Sequence, residues 1–170
     1  MKRLLSLSVL TLSALLCWQS PGSATQEPVY LTASSQFFSV TGEPMAPGDL
    51  INVALDAMEN GNYVDAYRLV NAVIKSNPAW PSGYHTRGLI LLSAGDPAGA
   101  IDDFTYTIRL EQRFPTAYFN RGVAYLQIGN KPKALEDFKK AALLYRQMGA
   151  SEHASDAIQK IRELMAEGYR

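Results

Sequence analysis

The chain has 170 residues, 47% of them hydrophobic, enough for one domain with its own core plus ancillary segments. Lysine and arginine together number 16, as do aspartate and glutamate, so no bulk charge draws the chain onto nucleic acid or an anionic membrane. One cysteine and two histidines leave too few sulfur or imidazole donors for a thiolate metal site or a three-nitrogen zinc site, and no metal or cofactor is expected.

Lys2 and Arg3 precede an uncharged apolar run over residues 4–18, and Gly22, Ser23 and Ala24 offer the small side chains a signal peptidase requires. The pattern predicts a cleaved signal peptide over 1–24. The run is 15 residues long, short of the about 20 that a membrane-spanning helix needs. Cys17 lies within it, but the preceding Leu16 is too large for a lipobox, which argues against a lipid anchor. The expectation is an exported protein of a periplasm or equivalent lumen, with secretion open and membrane contact only through a partner or an uncleaved signal. Without Lys2 and Arg3 the balance is 14 basic against 16 acidic residues.

Residues 25–46 are rich in Ser, Thr and Pro and show no helical period, so they read as a linker. Residues 29–31 and 37–40 within it are too apolar for an indifferent tether. Folding back onto the rest of the chain is one open reading of them.

From residue 47 the chain repeats itself with a period of 34: Gly61, Gly95 and Gly129 recur at that spacing, each followed by a helix-capping side chain, Asn62, Asp96 or Asn130. Each such pair predicts a tight turn between two helices. In the same register Ala66, Ala100 and Ala134 mark a close helix approach, and Val70, Phe104 and Phe138 supply a large apolar residue one turn later. Tyr67, Ile101 and Leu135, then Ile74, Ile108 and Ala142, complete the buried stripe of each second helix. Pro81, Pro97, Pro115 and Pro132 fall where first helical turns begin. The predicted helices span 48–60, 63–76, 81–94, 97–111, 115–128 and 131–147, as three hairpins over 47–80, 81–114 and 115–148. Residues 149–170 leave this register. Ala154, Ala157, Ile158, Ile161, Leu164 and Met165 form one stripe there, as expected of a capping helix with a wet outer side.

These columns resemble the tetratricopeptide repeat family, a 34-residue helical-hairpin unit, over about 120 residues. The second repeat carries Tyr84, Gly88, Leu91, Gly95, Ala100 and Phe104; the third carries Tyr118, Gly122, Tyr125, Gly129, Ala134 and Phe138. The first is more degenerate, with Leu50 and Ala54 at the aromatic and glycine columns, but keeps Gly61, Tyr63, Ala66 and Pro78. The resemblance implies an all-α solenoid with a C-terminal solvating helix. Arg87 and Arg121 stand at a column that is usually apolar in this family, and Asp103 and Asp137 stand at the facing one. The first repeat has Val53 and Leu69 at those two columns. Both members of each pair being charged or both apolar predicts a partly buried Arg–Asp bridge inside the second and third hairpins.

The resemblance also implies that the first helix of each hairpin lines a concave surface. Projected onto this chain, that surface takes Ile51, Asn52, Leu55, Met58, His85, Thr86, Leu89, Leu92, Phe119, Asn120, Val123, Leu126 and Gln127. Members that grip the C-terminal carboxylate of cytosolic chaperones use lysine, asparagine and arginine where this chain has Ile51, Leu55, Thr86, Thr116 and Asn120, so no carboxylate clamp is expected. An apolar stripe from Leu55 to Leu126 calls for a cover. The expected function is protein binding, as an adaptor, scaffold or assembly factor that holds an apolar peptide or helix. A structural subunit packed permanently in an oligomer is the alternative, and monomer or homo-oligomer stays undecided.

Enzymatic chemistry finds little support. No phosphate-binding glycine loop, nucleophile elbow or His-Glu metal helix is present. His85 and His153 read as polar surface. Asp102 and Asp103 are helix neighbours that point roughly 100° apart and share no substrate atom. The lysines at 131, 133, 139 and 140 are interleaved with Glu136 and Asp137 and read as a solvated face. An enzyme is only a remote alternative.

Overall fold

The computed structural model describes residues 30–31, 37–38, 45–166 and 168. The expected signal peptide lies outside the described residues, as does most of the 25–44 stretch. Seven helices follow in order: α1 (Pro47–Glu59), α2 (Tyr63–Ser76), α3 (Pro81–Ser93), α4 (Pro97–Leu110), α5 (Pro115–Gln127), α6 (Lys131–Gln147) and α7 (Ser151–Ala166). They match the predicted helices to within one residue at each end.

Ahead of the helices, β1 (Tyr30–Leu31) and β2 (Phe37–Phe38) pair antiparallel, Tyr30 opposite Phe38 and Leu31 opposite Phe37. The sequence predicted no strand here. A ladder of two residue pairs is too short to leave the alternation by which strands are read.

The turn between α3 and α4 shows how the repeat closes. Gly95 adopts φ +85°, a conformation that costs a residue with a Cβ. Its N–H donates to Leu92 O at 3.2 Å and the Asp96 N–H to Leu91 O at 2.8 Å, which together end α3. The Asp96 carboxylate then accepts from the Gly99 N–H at 2.9 Å and starts α4. Gly61 with Asn62 and Gly129 with Asn130 build the same turn.

Inside each hairpin the second helix buries its small-then-large pair completely: Ala66 and Val70, Ala100 and Phe104, Ala134 and Phe138. Each phenyl ring contributes about 2–3 kcal/mol by burial. The rings press on the facing helix so closely that a Cβ on Gly88 would sit 2.7 Å from Phe104, and one on Gly122 would sit 2.9 Å from Phe138. The first hairpin resolves the same crossing with a smaller partner. Val70 replaces the ring and Ala54 the glycine, and both are fully buried in one cluster with Leu50, Leu69 and Val73.

Each helix packs on its neighbours in sequence, and successive first helices also touch, α1 with α3 and α3 with α5. Helix α7 closes the array on α6 by placing Ala154 and Ala157 against Ala141, Ala142 and Tyr145, and Leu164 against the cluster of Phe138 and Leu135. Two expected stripe residues depart from the core. Met165 is exposed, because it lies a rotation away from Leu164. Tyr67 is also exposed, and its ring lies alongside the Arg87 guanidinium, 5.9 Å from the ring centroid.

Candidate protein-binding face

Contacts between α1, α3 and α5 set the first helices side by side and make one face of the solenoid from them. Asn52 at one side and Gln127 at the other are exposed. Leu55, Met58, His85, Leu89, Leu92, Phe119, Asn120, Val123 and Leu126 are half-buried between them. Two projected residues do not belong to this face. Ile51 is 9% exposed within the first hairpin's core, and Thr86 is 4% exposed. Successive first helices touch one another, so residues on their flanks are closed off.

The apolar stripe is also better covered by its own fold than the sequence implied. Leu55 and Met58 pack on the first hairpin's core, and Leu89 and Leu92 on Ala100, Phe104 and Ala124. Phe119, Val123 and Leu126 pack on the cluster that α7 completes with Leu164, and the Phe119 ring lies 5.4 Å from that of Phe138. What remains open is a shallow row of apolar edges. The large apolar side chains with the greatest exposure lie elsewhere, Val64 of α2 (63%), Met148 just after α6 (60%) and Met165 of α7 (54%).

His85 is not the polar surface residue expected. Its ring lies 5.0 Å from Phe114 and 5.6 Å from Phe104, and Nε2 pairs with the Asn120 side-chain nitrogen at 3.1 Å, across the α3–α5 seam. Burial pushes its pKa down to about 4, so the neutral ring is the resident form at pH 7. Asn120 is thereby partly committed within the fold, whereas Asn52 and Gln127 keep exposed amides. Phe114 occupies the N-cap position of α5, and Trp80 the equivalent position of α3 34 residues earlier. Neither caps with its side chain, so these aromatic positions mark the N-terminal edge of the face.

The charged columns meet behind this face. Arg87 Nε and Nη2 donate to the two Asp103 carboxylate oxygens at 2.7 Å each, and Nη1 donates to Asn71 Oδ1 at 2.7 Å. Arg121 repeats the arrangement with Asp137 at 2.8 Å twice and Thr105 Oγ1 at 3.0 Å. Each guanidinium thus ties three helices: α2, α3 and α4, or α4, α5 and α6. The hydrogen bond from Asp103 is the largest influence holding the Arg87 pKa above its ordinary value. For Arg121 burial is the largest influence and opposes ionisation, but the Asp137 bond and charge outweigh it. Sequence reasoning missed Asn71 and Thr105 as the third partners. Their own 34-residue spacing was the available signal.

A second surface feature was also missed. A mainly apolar depression of about 310 Å³ opens between α2 and α3, lined by Tyr63, Val64, Tyr67, Arg68, Ile90, Leu91 and Ala94. Among the described residues no group of three or more His, Cys, Asp or Glu side chains could hold a metal ion, and no helix is long and apolar enough to cross a membrane.

Stacked helical hairpins with a 34-residue period and a terminal capping helix define an α-solenoid of the helical-hairpin repeat class. Residues 85–152 match the family described as Tetratricopeptide repeat. The matched span covers the second and third hairpins and leaves out the degenerate first. No curated protein matches the sequence. Solved structures share the fold. The type III secretion translocator chaperone SycD of Yersinia enterocolitica, in an alternative dimer, aligns with TM-score 0.68 and 16% identity over 73% of this chain and 95% of that one. PcrH of Pseudomonas aeruginosa, in complex with the chaperone-binding region of PopD, gives 0.67 and 20% over 71% and 92%. The TPR2B domain of yeast Sti1, in a complex with Hsp70, gives 0.67 and 18% over 71% and 97%.

Proposed function

We propose that this protein is a non-enzymatic adaptor or assembly factor of an exported compartment, and that the face of α1, α3 and α5 holds an apolar peptide or helix of a partner protein. The observation that carries the reading is the composition of that face. Half-buried Leu55, Met58, Leu89, Leu92, Val123 and Leu126 run between the exposed amides of Asn52 and Gln127, with no lysine or arginine among the projected positions. Such a row gains from a partner's apolar side chains, and the amides give donors and acceptors for its backbone. PcrH and Sti1 hold a polypeptide on the same fold, which supports a polypeptide partner here. An acidic tail suits this face poorly, because nothing on it pairs with a carboxylate.

The two half-buried arginines do not argue for catalysis, since each is held by a carboxylate and a further oxygen acceptor. Export rests on the basic start, the apolar run and the small residues before Thr25. Intact mass of the processed chain is expected to place its N-terminus at Thr25; a retained Met1 sinks the export reading.

The binding reading is tested by affinity capture from the exported fraction. The bait and a variant carrying Asn52→Arg, Met58→Lys and Gln127→Arg are compared, with helicity and Tm checked on both. These positions are exposed or half-buried, so the fold should survive. A polypeptide captured by the bait and lost from the variant supports the reading. Identical capture by both overturns it.

A further inference from the structure

We propose that the junction between the second and third hairpins is a joint that acid opens, with the His85 imidazole at the α3–α5 seam as its titrating group. Opening it breaks up the face of α1, α3 and α5. Release of a held polypeptide in acid is the consequence, and that consequence alone rests on the reading of the face as a peptide-binding surface.

The first argument is the place the imidazole occupies. His85 stands 34 residues after Ile51 and 34 before Phe119, so the three share one column of the repeat. Ile51 belongs to the first hairpin's core, and the Phe119 ring lies 5.4 Å from Phe138 much as the His85 ring lies 5.6 Å from Phe104. An apolar side chain thus satisfies the packing in the other two hairpins. What histidine adds at this point is a hydrogen bond and a site for a proton. The second argument is that bond. The Asn120 side-chain nitrogen pairs with Nε2 at 3.1 Å across the seam, and since an amide nitrogen only donates, Nε2 accepts and the ring is neutral. A proton on Nε2 sets donor against donor. Turning the carboxamide over restores the bond but still leaves a charge between the Phe104 and Phe114 rings.

The third is that the surrounding elements offer that charge no counter-ion. Arg87 of α3 and Asp103 of α4 are bonded to each other, and Arg121 of α5 to Asp137 of α6. Tyr84 and Tyr106 lie against each other beside Arg87, and Tyr118 and Tyr125 flank Arg121. Asp102 and Arg109 of α4, Glu111 and Arg113 of the turn that carries Phe114, and Asp49, Asp56 and Glu59 of α1 are exposed. Burial accordingly holds the folded pKa at about 4. An opened joint returns the ring to water and to its ordinary 6.5, so protons favour the open form. By linkage its population rises about twentyfold between pH 7 and pH 5. The effect stays local, because in a stacked array each interface between repeats contributes its own share of stability.

Thiol labelling in the full chain tests this. Cys17 is the single native cysteine, and Cys17→Ser leaves a thiol-free background. Ala124→Cys places a probe in the junction: Ala124 is fully buried on α5 against Ala100 and Phe104 of α4, in a column that holds Ile90 one repeat earlier. Val73→Cys, fully buried in the first hairpin's core, is the comparison. Labelling with dithiodipyridine, which reacts with thiols in acid as well, is divided by the rate of the same thiol in the urea-unfolded chain. Between pH 7 and pH 5 the ratio at position 124 is expected to rise about twentyfold, and at position 73 by less than about threefold. His85→Phe, which installs the third repeat's residue, should abolish the rise. Asn120→Asp should suppress it with the imidazole kept, since a carboxylate then meets the protonated ring. No rise at 124, an equal rise at 73, or an undiminished rise in both variants overturns the proposal. If the joint opens and the bait captures nothing, only the peptide-binding reading falls; if the bait captures a polypeptide and the joint stays closed, only the joint is discarded.

Discussion

At Gly88 the margin between helices is set by one ring. A Cβ there would lie 2.7 Å from Phe104, so Gly88→Ala is expected to lower stability by about 1–3 kcal/mol in urea unfolding. The first hairpin shows the compensation, with Ala54 opposite Val70. Gly88→Ala combined with Phe104→Val should therefore lose less than the sum of the two single changes; strict additivity contradicts a shared crossing. His85 offers a second test. Its folded pKa, about 4, lies below the ordinary 6.5, so between those values the unfolded chain binds more protons than the folded one. Stability then rises with pH through that window and is lost as pH falls through it, by on the order of 3 kcal/mol from pH 7 to pH 4. His85→Gln should flatten this part of the profile, read as Tm against pH. The position of His85 was not legible in the sequence, because a lone histidine on a helix carries no mark of the aromatic rings that will surround it. Phe104 and Phe114 reach it from another helix and from a helix end.

Among the elements, the hairpins were legible almost in full. A glycine and a capping side chain every 34 residues announce each turn, and the turn chemistry is local enough to read from adjacent residues. The Arg–Asp pairs were legible for a different reason: two columns changed together from apolar in the first hairpin to charged in the others. What escaped was contact between hairpins, since Asn71 and Thr105 are ordinary polar residues until the next repeat's arginine arrives. The pairing makes a directional prediction. Asp103→Ala leaves Arg87 without its carboxylate and is expected to cost about 2–4 kcal/mol, less than a fully buried break because the guanidinium keeps some solvent. Replacing both partners in the manner of the first hairpin, Arg87→Val with Asp103→Leu, should recover most of that loss. A double change as damaging as the single one contradicts the Arg–Asp pairing inside the hairpin. The 310 Å³ depression between α2 and α3 was illegible because it forms only where helices of two different hairpins meet.

For the whole molecule, α1, α3 and α5 stand side by side, and the apolar row on them is less bare than the register implied. Projection by column treats every outward position alike. Packing between adjacent first helices closes Ile51 and Thr86, and α7 covers part of Phe119. The surface left is shallow and neutral, which favours an extended or helical apolar segment over a charged tail. A photo-reactive amino acid placed at Met58, on that face, and separately at Tyr106, on the outside of α4, tests this most directly when irradiated in the native compartment. The account predicts a covalent adduct to another polypeptide from position 58 and none from position 106. Adducts from 106 alone, or equal adducts from both, contradict it.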